Sequence, residues 1–173
     1  MRQRAVIFDL DGVIVSTDDC HYRAWKRMAD EEGIYFDEVI NQRLRGVSRM
    51  DSLEIILEKA TRTYSPDEKK KLADRKNGYY RQLIQELTPD RILPGVMSIL
   101  EGLRKEGFKV AVGSSSKNAP LILERIGLKE TFDVVVGGND ITKSKPDPEV
   151  FLLAAERLKV DPAHCVVVED ADA

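Results

Sequence analysis

The sequence predicts an α/β protein, a doubly wound parallel sheet with a helical domain inserted after its first strand. Three observations carry that expectation. Four short apolar runs, Ala5-Val6-Ile7-Phe8, Lys109-Val110-Ala111-Val112, Asp133-Val134-Val135-Val136 and Cys165-Val166-Val167-Val168, have the unbroken character of strands buried on both faces. Helical patterns separate the last three runs, and strands alternating with helices imply parallel order. The interval between the first two runs is helical throughout, from about Thr17 to Thr88, and is too long for a simple crossover.

Each element has its own justification. The first run ends in Asp9-Leu10-Asp11-Gly12, where glycine lets the backbone turn sharply. Cys20 to Glu32 reads as a helix stopped by Gly33, and Arg49 to Arg62 as a second. Ser65-Pro66-Asp67-Glu68 opens a third, with a capping box and proline at the first helical position. Val96 to Glu106 ends at Gly107, Ala119 to Ile126 ends at Gly127, and Asp147 to Leu158 follows Pro146. The predicted organisation is a Rossmann-like core made of residues 1–16 and 93–173, with a helical cap over 17–92 hinged on 15–18 and 90–95.

Composition narrows the possible functions. The 173 residues suffice for one or two domains with a real core. Hydrophobic residues at 42% and charged residues at 33% are ordinary for a globular chain, and a net charge of -3 argues against a nucleic-acid partner. No stretch approaches the roughly 18 apolar residues of a membrane span. Asp9 and Asp11 interrupt the amino-terminal apolar run, so it does not read as a signal peptide. Cys20 and Cys165 show neither paired nor metal-type spacing. Cys165 opens an apolar run and is expected as a buried free thiol, which suits a reducing cytoplasm.

In a doubly wound sheet, sites form beyond the carboxyl ends of the strands. Asp9 and Asp11 follow the first strand, Ser114 the second, Lys145 the third after a loop, and Glu169 with Asp170 the fourth. Four carboxylates on one rim repel unless some stay protonated or a cation neutralises them. Oxygen ligands favour a hard cation, with Mg2+ (magnesium) foremost. Such an ion beside a lysine and a serine hydroxyl forms a receptor for a phosphoryl group. Singly, Ser114 could be a helix cap, Lys145 a solvated side chain and Glu169-Asp170 loop residues; the ordered set outweighs those readings.

Asp9-Leu10-Asp11-Gly12, Ser114, Lys145-Pro146-Asp147-Pro148 and Glu169-Asp170 resemble, in order and over the whole chain, the four motifs of the haloacid dehalogenase (HAD) superfamily. In the helical insertion, His21-Tyr22-Arg23-Ala24-Trp25, Arg45 through Ser52 and Arg75-Lys76-Asn77 resemble the β-phosphoglucomutases of that superfamily, as does Ser114-Ser115-Ser116-Lys117-Asn118 in the core. The resemblance implies an enzyme that isomerises a sugar phosphate. Asp9 would be its nucleophile and Asp11 its general acid and base.

By the same resemblance, magnesium is held by Asp9, Asp170, the Asp11 backbone carbonyl and Glu169. Ser114 and Lys145 grip the transferring group. Arg49 binds the second phosphate, with Ser115, Ser116, Lys117 and Asn118 lining that region. Thr17, His21, Trp25, Arg45, Gly46, Val47, Ser48, Ser52, Lys76 and Asn77 complete the substrate site. A cytoplasmic monomer is implied, with no nucleic acid or membrane partner. A sugar-phosphate phosphatase of the superfamily is the alternative, and a catalytically inactive truncated form the second.

Two positions depart from the pattern: Ser16 stands where relatives commonly have aspartate, and Arg45 where some have lysine. The family would also continue past Ala173 through a helix and a strand. The chain is therefore expected to be a fragment, with its fourth strand left as an apolar sheet edge.

Overall fold

The fold is described from a computed structural model, over residues 3–171. It divides into two compact units, Met1–Thr17 with Leu87–Ala173, and Asp18–Glu86.

The first unit is built on a parallel sheet of β1 (Ala5–Phe8), β2 (Lys109–Gly113), β3 (Val134–Val136) and β4 (Cys165–Val168), in the order β3-β2-β1-β4. Phe8 lies in register with Val112 on one side and Val168 on the other, so the chain leaves three strands at one level. Strand β1 is buried along its whole length, as an unbroken apolar run requires. Strand β4 is the expected apolar sheet edge: Val166, Val167 and Val168 are 59%, 42% and 37% exposed. It lies at the sheet edge and pairs only with β1 among the described residues. For the same reason Cys165 is only partly buried, which corrects the expected buried thiol, whereas Cys20 is buried.

The core helices are α5 (Val96–Lys105), α6 (Ala119–Arg125) and α7 (Glu149–Leu158). Helix α7 buries Val150, Ala154, Ala155 and Leu158 against Ala5, Ile7, Ala111 and Val136 of the sheet. It begins at Glu149 instead of Asp147, because Pro148 occupies the capping position.

The second unit contains α1 (Asp18–Glu31), α2 (Glu38–Gln42), α3 (Arg49–Leu57) and α4 (Pro66–Ile84). Helix α1 starts two residues before the predicted Cys20, with Asp18 and Asp19 favouring the positive amino-terminal end. Its buried stripe of Cys20, Ala24, Trp25, Met28 and Ala29 recurs at helical spacing. The short α2 was not anticipated; Asp37 caps it by accepting from the Ile40 amide at 2.8 Å. Helix α3 stops at Leu57 instead of Arg62. Helix α4 has the expected start, with a reciprocal capping box between Ser65 and Glu68 and proline in its first turn.

At the carboxyl end of α1, Glu31 and Glu32 meet an unfavourable dipole, which cations of α4 and its approach offset. Arg75 pairs with both glutamates, and Tyr79 donates to Glu31 at 2.9 Å. Thr17 and residues 87–92 fall within the first unit: the Leu93 amide donates to the Ile14 carbonyl at 2.9 Å, and Arg91 donates to the Ser16 carbonyl at 3.2 Å. Among the described residues no helix is long and apolar enough to cross a membrane.

Candidate active site

The carboxyl edge of the sheet gathers most of the expected core residues. Asp9 follows β1 directly, its amide donating to the Val168 carbonyl of β4 at 2.9 Å. Its carboxylate is 8% exposed as a residue and accepts from Lys145, 2.8 Å away. Lys145 also pairs with Glu169. Carboxylate oxygens of Asp9, Glu169 and Asp170 all lie within 4.8 Å of one another. An all-oxygen set of this kind fits a hard divalent cation, the kind of ion the family implies.

Burial dominates the electrostatics. It lifts the Asp9 carboxyl to about 6, against the opposing pull of the Lys145 charge. Burial also pushes Glu169 up, but the Lys145 hydrogen bond and charge outweigh it and hold that carboxyl below its usual range. A divalent cation at this cluster would favour all three carboxylates in their charged form.

The Asp11 carboxylate is not one of this group of three. Thr17 takes Asp11 instead, donating from its amide at 2.8 Å and its hydroxyl at 2.6 Å. The turn between them depends on Gly12, at φ +83°, whose missing side chain makes room for Asp170: a Cβ there would lie 2.6 Å from the Asp170 carboxyl carbon.

The loop after β2 is ordered by its own hydroxyls. Ser114 is buried, its amide donates to the Val136 carbonyl at 2.9 Å, and its Oγ accepts from the Ser116 amide at 3.1 Å. Ser116 Oγ accepts from the Asn118 amide in the same way. The Ser115 Oγ is buried without a hydrogen-bond partner, and Lys117 is exposed.

The helical unit forms a second cluster. Lys76 is 3% exposed, donates to His21 Nδ1 at 2.9 Å, and lies 4.6 Å from the Trp25 ring centroid and 4.8 Å from that of Tyr80. His21 stacks on Tyr80 with centroids 4.1 Å apart. Arg49 donates to Asn77 at 2.9 Å. Ser52 is buried, and Ser48 caps α3. Val47 is half-buried, while Arg45, paired with Asp18 at 2.5 Å, and Gly46 are exposed.

Tyr80 is not among the site residues expected from the sequence. Its place four residues after Lys76, on the same helical face, was the available signal.

Burial, then the charges of Lys76 and Arg49, drive the His21 pKa well below its ordinary value. The unfolded chain therefore takes up a proton first as pH falls. His21 contributes full stability above about pH 6.5 and loses it, by up to about 1.4 kcal/mol per pH unit, as acid is added. Urea unfolding at pH 7.5 and 5.5 is expected to show a larger loss for wild type than for His21→Gln. Equal losses would refute the burial argument.

A family profile for haloacid dehalogenase-like hydrolases matches residues 3–173, and the chain belongs to that family. It is 46% identical over 172 residues to β-phosphoglucomutase of Bacillus subtilis, an alignment covering 98% of this chain and 76% of that protein. It is 34% identical over 170 residues to a phosphorylated carbohydrates phosphatase of Thermotoga maritima, covering 96% of this chain and 76% of that protein. Among solved structures, β-phosphoglucomutase of Clostridium difficile superposes with a TM-score of 0.89 at 42% identity, over 98% of this chain and 77% of that one.

Proposed function

We propose that the chain is a β-phosphoglucomutase, interconverting β-D-glucose 1-phosphate and glucose 6-phosphate through an aspartyl phosphate and glucose 1,6-bisphosphate. The observation that carries the chemistry is the buried Asp9 carboxylate held against Lys145, with Glu169 and Asp170 beside it. The substrate assignment is supported by the 46% identity to the Bacillus subtilis enzyme.

In this reading an Asp9 oxygen bonds to phosphorus as the bond from phosphorus to the sugar oxygen breaks. Asp11 gives a proton to the departing sugar oxygen. It takes one back from the other hydroxyl when that oxygen attacks the aspartyl phosphate. Thr17 orients the Asp11 carboxylate through its two hydrogen bonds. Lys145 and the Ser114 hydroxyl bind the transferring oxygens. Magnesium held by Asp9, Glu169, Asp170 and the Asp11 carbonyl would supply charge neutralisation at the phosphoryl group.

Residues 18–86 act as a cap. Arg49 grips the non-reacting phosphate with a guanidinium that suits two oxygens at once, and His21, Trp25 and Lys76 bind the sugar phosphate. Arg49→Ala is expected to lower kcat/KM for β-glucose 1-phosphate by about 10- to 100-fold, the cost of a charge-assisted contact. An unchanged mutase rate would remove Arg49 from the site.

The second reading, a sugar-phosphate phosphatase, is favoured by the 34% identity to the Thermotoga maritima phosphatase. One assay separates the two. The protein is incubated with magnesium, β-glucose 1-phosphate and a trace of glucose 1,6-bisphosphate, and glucose 6-phosphate and free phosphate are followed together. Conversion without phosphate release supports the mutase; stoichiometric release makes the protein a hydrolase.

A further inference from the structure

We propose that Phe151 is a positioning residue for phosphoryl transfer, acting through Lys145; the inference rests on the phosphoryl-transfer reading above. Phe151 lies in the first turn of α7, and its ring centroid is 4.8 Å from the Lys145 ammonium. The ring also lies against β2 at Gly113, where a Cβ would come within 3.1 Å of Phe151 Cδ1. Gly113 immediately precedes Ser114. One ring therefore spans the distance between the end of β2 and the lysine.

The chemistry explains why a ring suits that place. The Lys145 side chain is only 9% exposed, and it faces the carboxylates of Asp9 and Glu169. Another carboxylate there would add repulsion to an already anionic rim, and a hydroxyl would take up an N–H. An aromatic face attracts the ammonium through its quadrupole and consumes no donor. Two of the three N–H groups serve Asp9 and Glu169, and the third remains for an arriving phosphoryl oxygen.

The loop that carries Lys145 is pinned to the same helix. Glu149 accepts from the Thr142 amide at 2.9 Å and the Lys143 amide at 2.7 Å, and Asp147 accepts from the Glu149 amide at 3.0 Å. Helix α7 thus fixes both the lysine's loop and the ring beneath its charge.

Phosphorylation of Asp9 by acetyl phosphate, read as the rate at which one phosphoryl group is added to the intact protein, tests this. Phe151→Leu keeps apolar bulk and loses the ring face, and is expected to slow the reaction about 3- to 30-fold. Phe151→Tyr keeps the face and should stay within about twofold of wild type. Gly113→Ala, whose Cβ would press on the ring and on Ile7 at 3.3 Å, should slow the reaction as Leu does, and serves, with the Lys145 ring-current shifts as the reading specific to the ring, if Phe151→Leu does not fold.

Lys145 methylene protons supply a second readout: their ring-current shifts should vanish in the Leu variant and persist in the Tyr variant. Leu and Ala variants as fast as wild type would overturn the inference and leave the functional reading intact. A wild type that accepts no phosphoryl group would sink both.

Discussion

Asp9→Asn is expected to abolish phosphorylation by acetyl phosphate and mutase turnover together, by on the order of 10^4- to 10^6-fold, the scale seen when a covalent nucleophile is removed. Asparagine fills the same volume, but its amide cannot form the acyl phosphate. The expected loss is in reactivity and not in folding, so thermal unfolding of the variant should stay within a few degrees of wild type. Intact-mass measurement after incubation with acetyl phosphate decides the matter. A variant that still gains a phosphoryl group would place the nucleophile elsewhere, and Asp11 would then be the residue to replace.

Gly12→Ala should act on the metal and leave the nucleophile in place. Two effects add. At φ +83° an alanine is strained by roughly 1 kcal/mol. The larger effect is steric, since the new Cβ would sit 2.6 Å from the Asp170 carboxyl carbon and 2.8 Å from one of its oxygens. A carboxylate end can swing aside, but doing so takes Asp170 out of the cluster with Asp9 and Glu169. Affinity for a divalent cation is expected to fall about 10- to 100-fold, the usual cost of misorienting a ligand. Titration of the acetyl phosphate reaction with magnesium reads it directly. An unchanged magnesium midpoint would show that Asp170 is not needed at the ion.

The core was legible because its signals are local. Ala5–Phe8 and Cys165–Val168 are apolar runs closed by acidic residues, and their bounds match the sequence reading. The Ser65 capping box likewise announces α4 within four residues.

What escaped depends on contacts across the chain. The partial exposure of Cys165, expected as a buried thiol, follows from its place on the edge strand β4. Asp11 and Asp9 share a motif, yet Thr17 draws Asp11 aside, and only the folded turn reveals it. Tyr80 and Phe151 are not singled out in the sequence, because an aromatic ring acquires its meaning from the cation placed over it.

The pairing of β1 with both neighbours sets the order in which this molecule can be assembled during synthesis. Ala5 has its partners at Lys109 and at Cys165, the second 160 residues later. The helical unit is contiguous, and its last residue, Glu86, emerges while β1 still lacks both neighbours. An apolar strand that leads into the future nucleophile must therefore wait, unpaired, until β2 has been made, a period in which exposed strand edges invite association with other chains. The helices can organise early, but the carboxylate cluster assembles only once the ribosome has delivered Glu169 and Asp170.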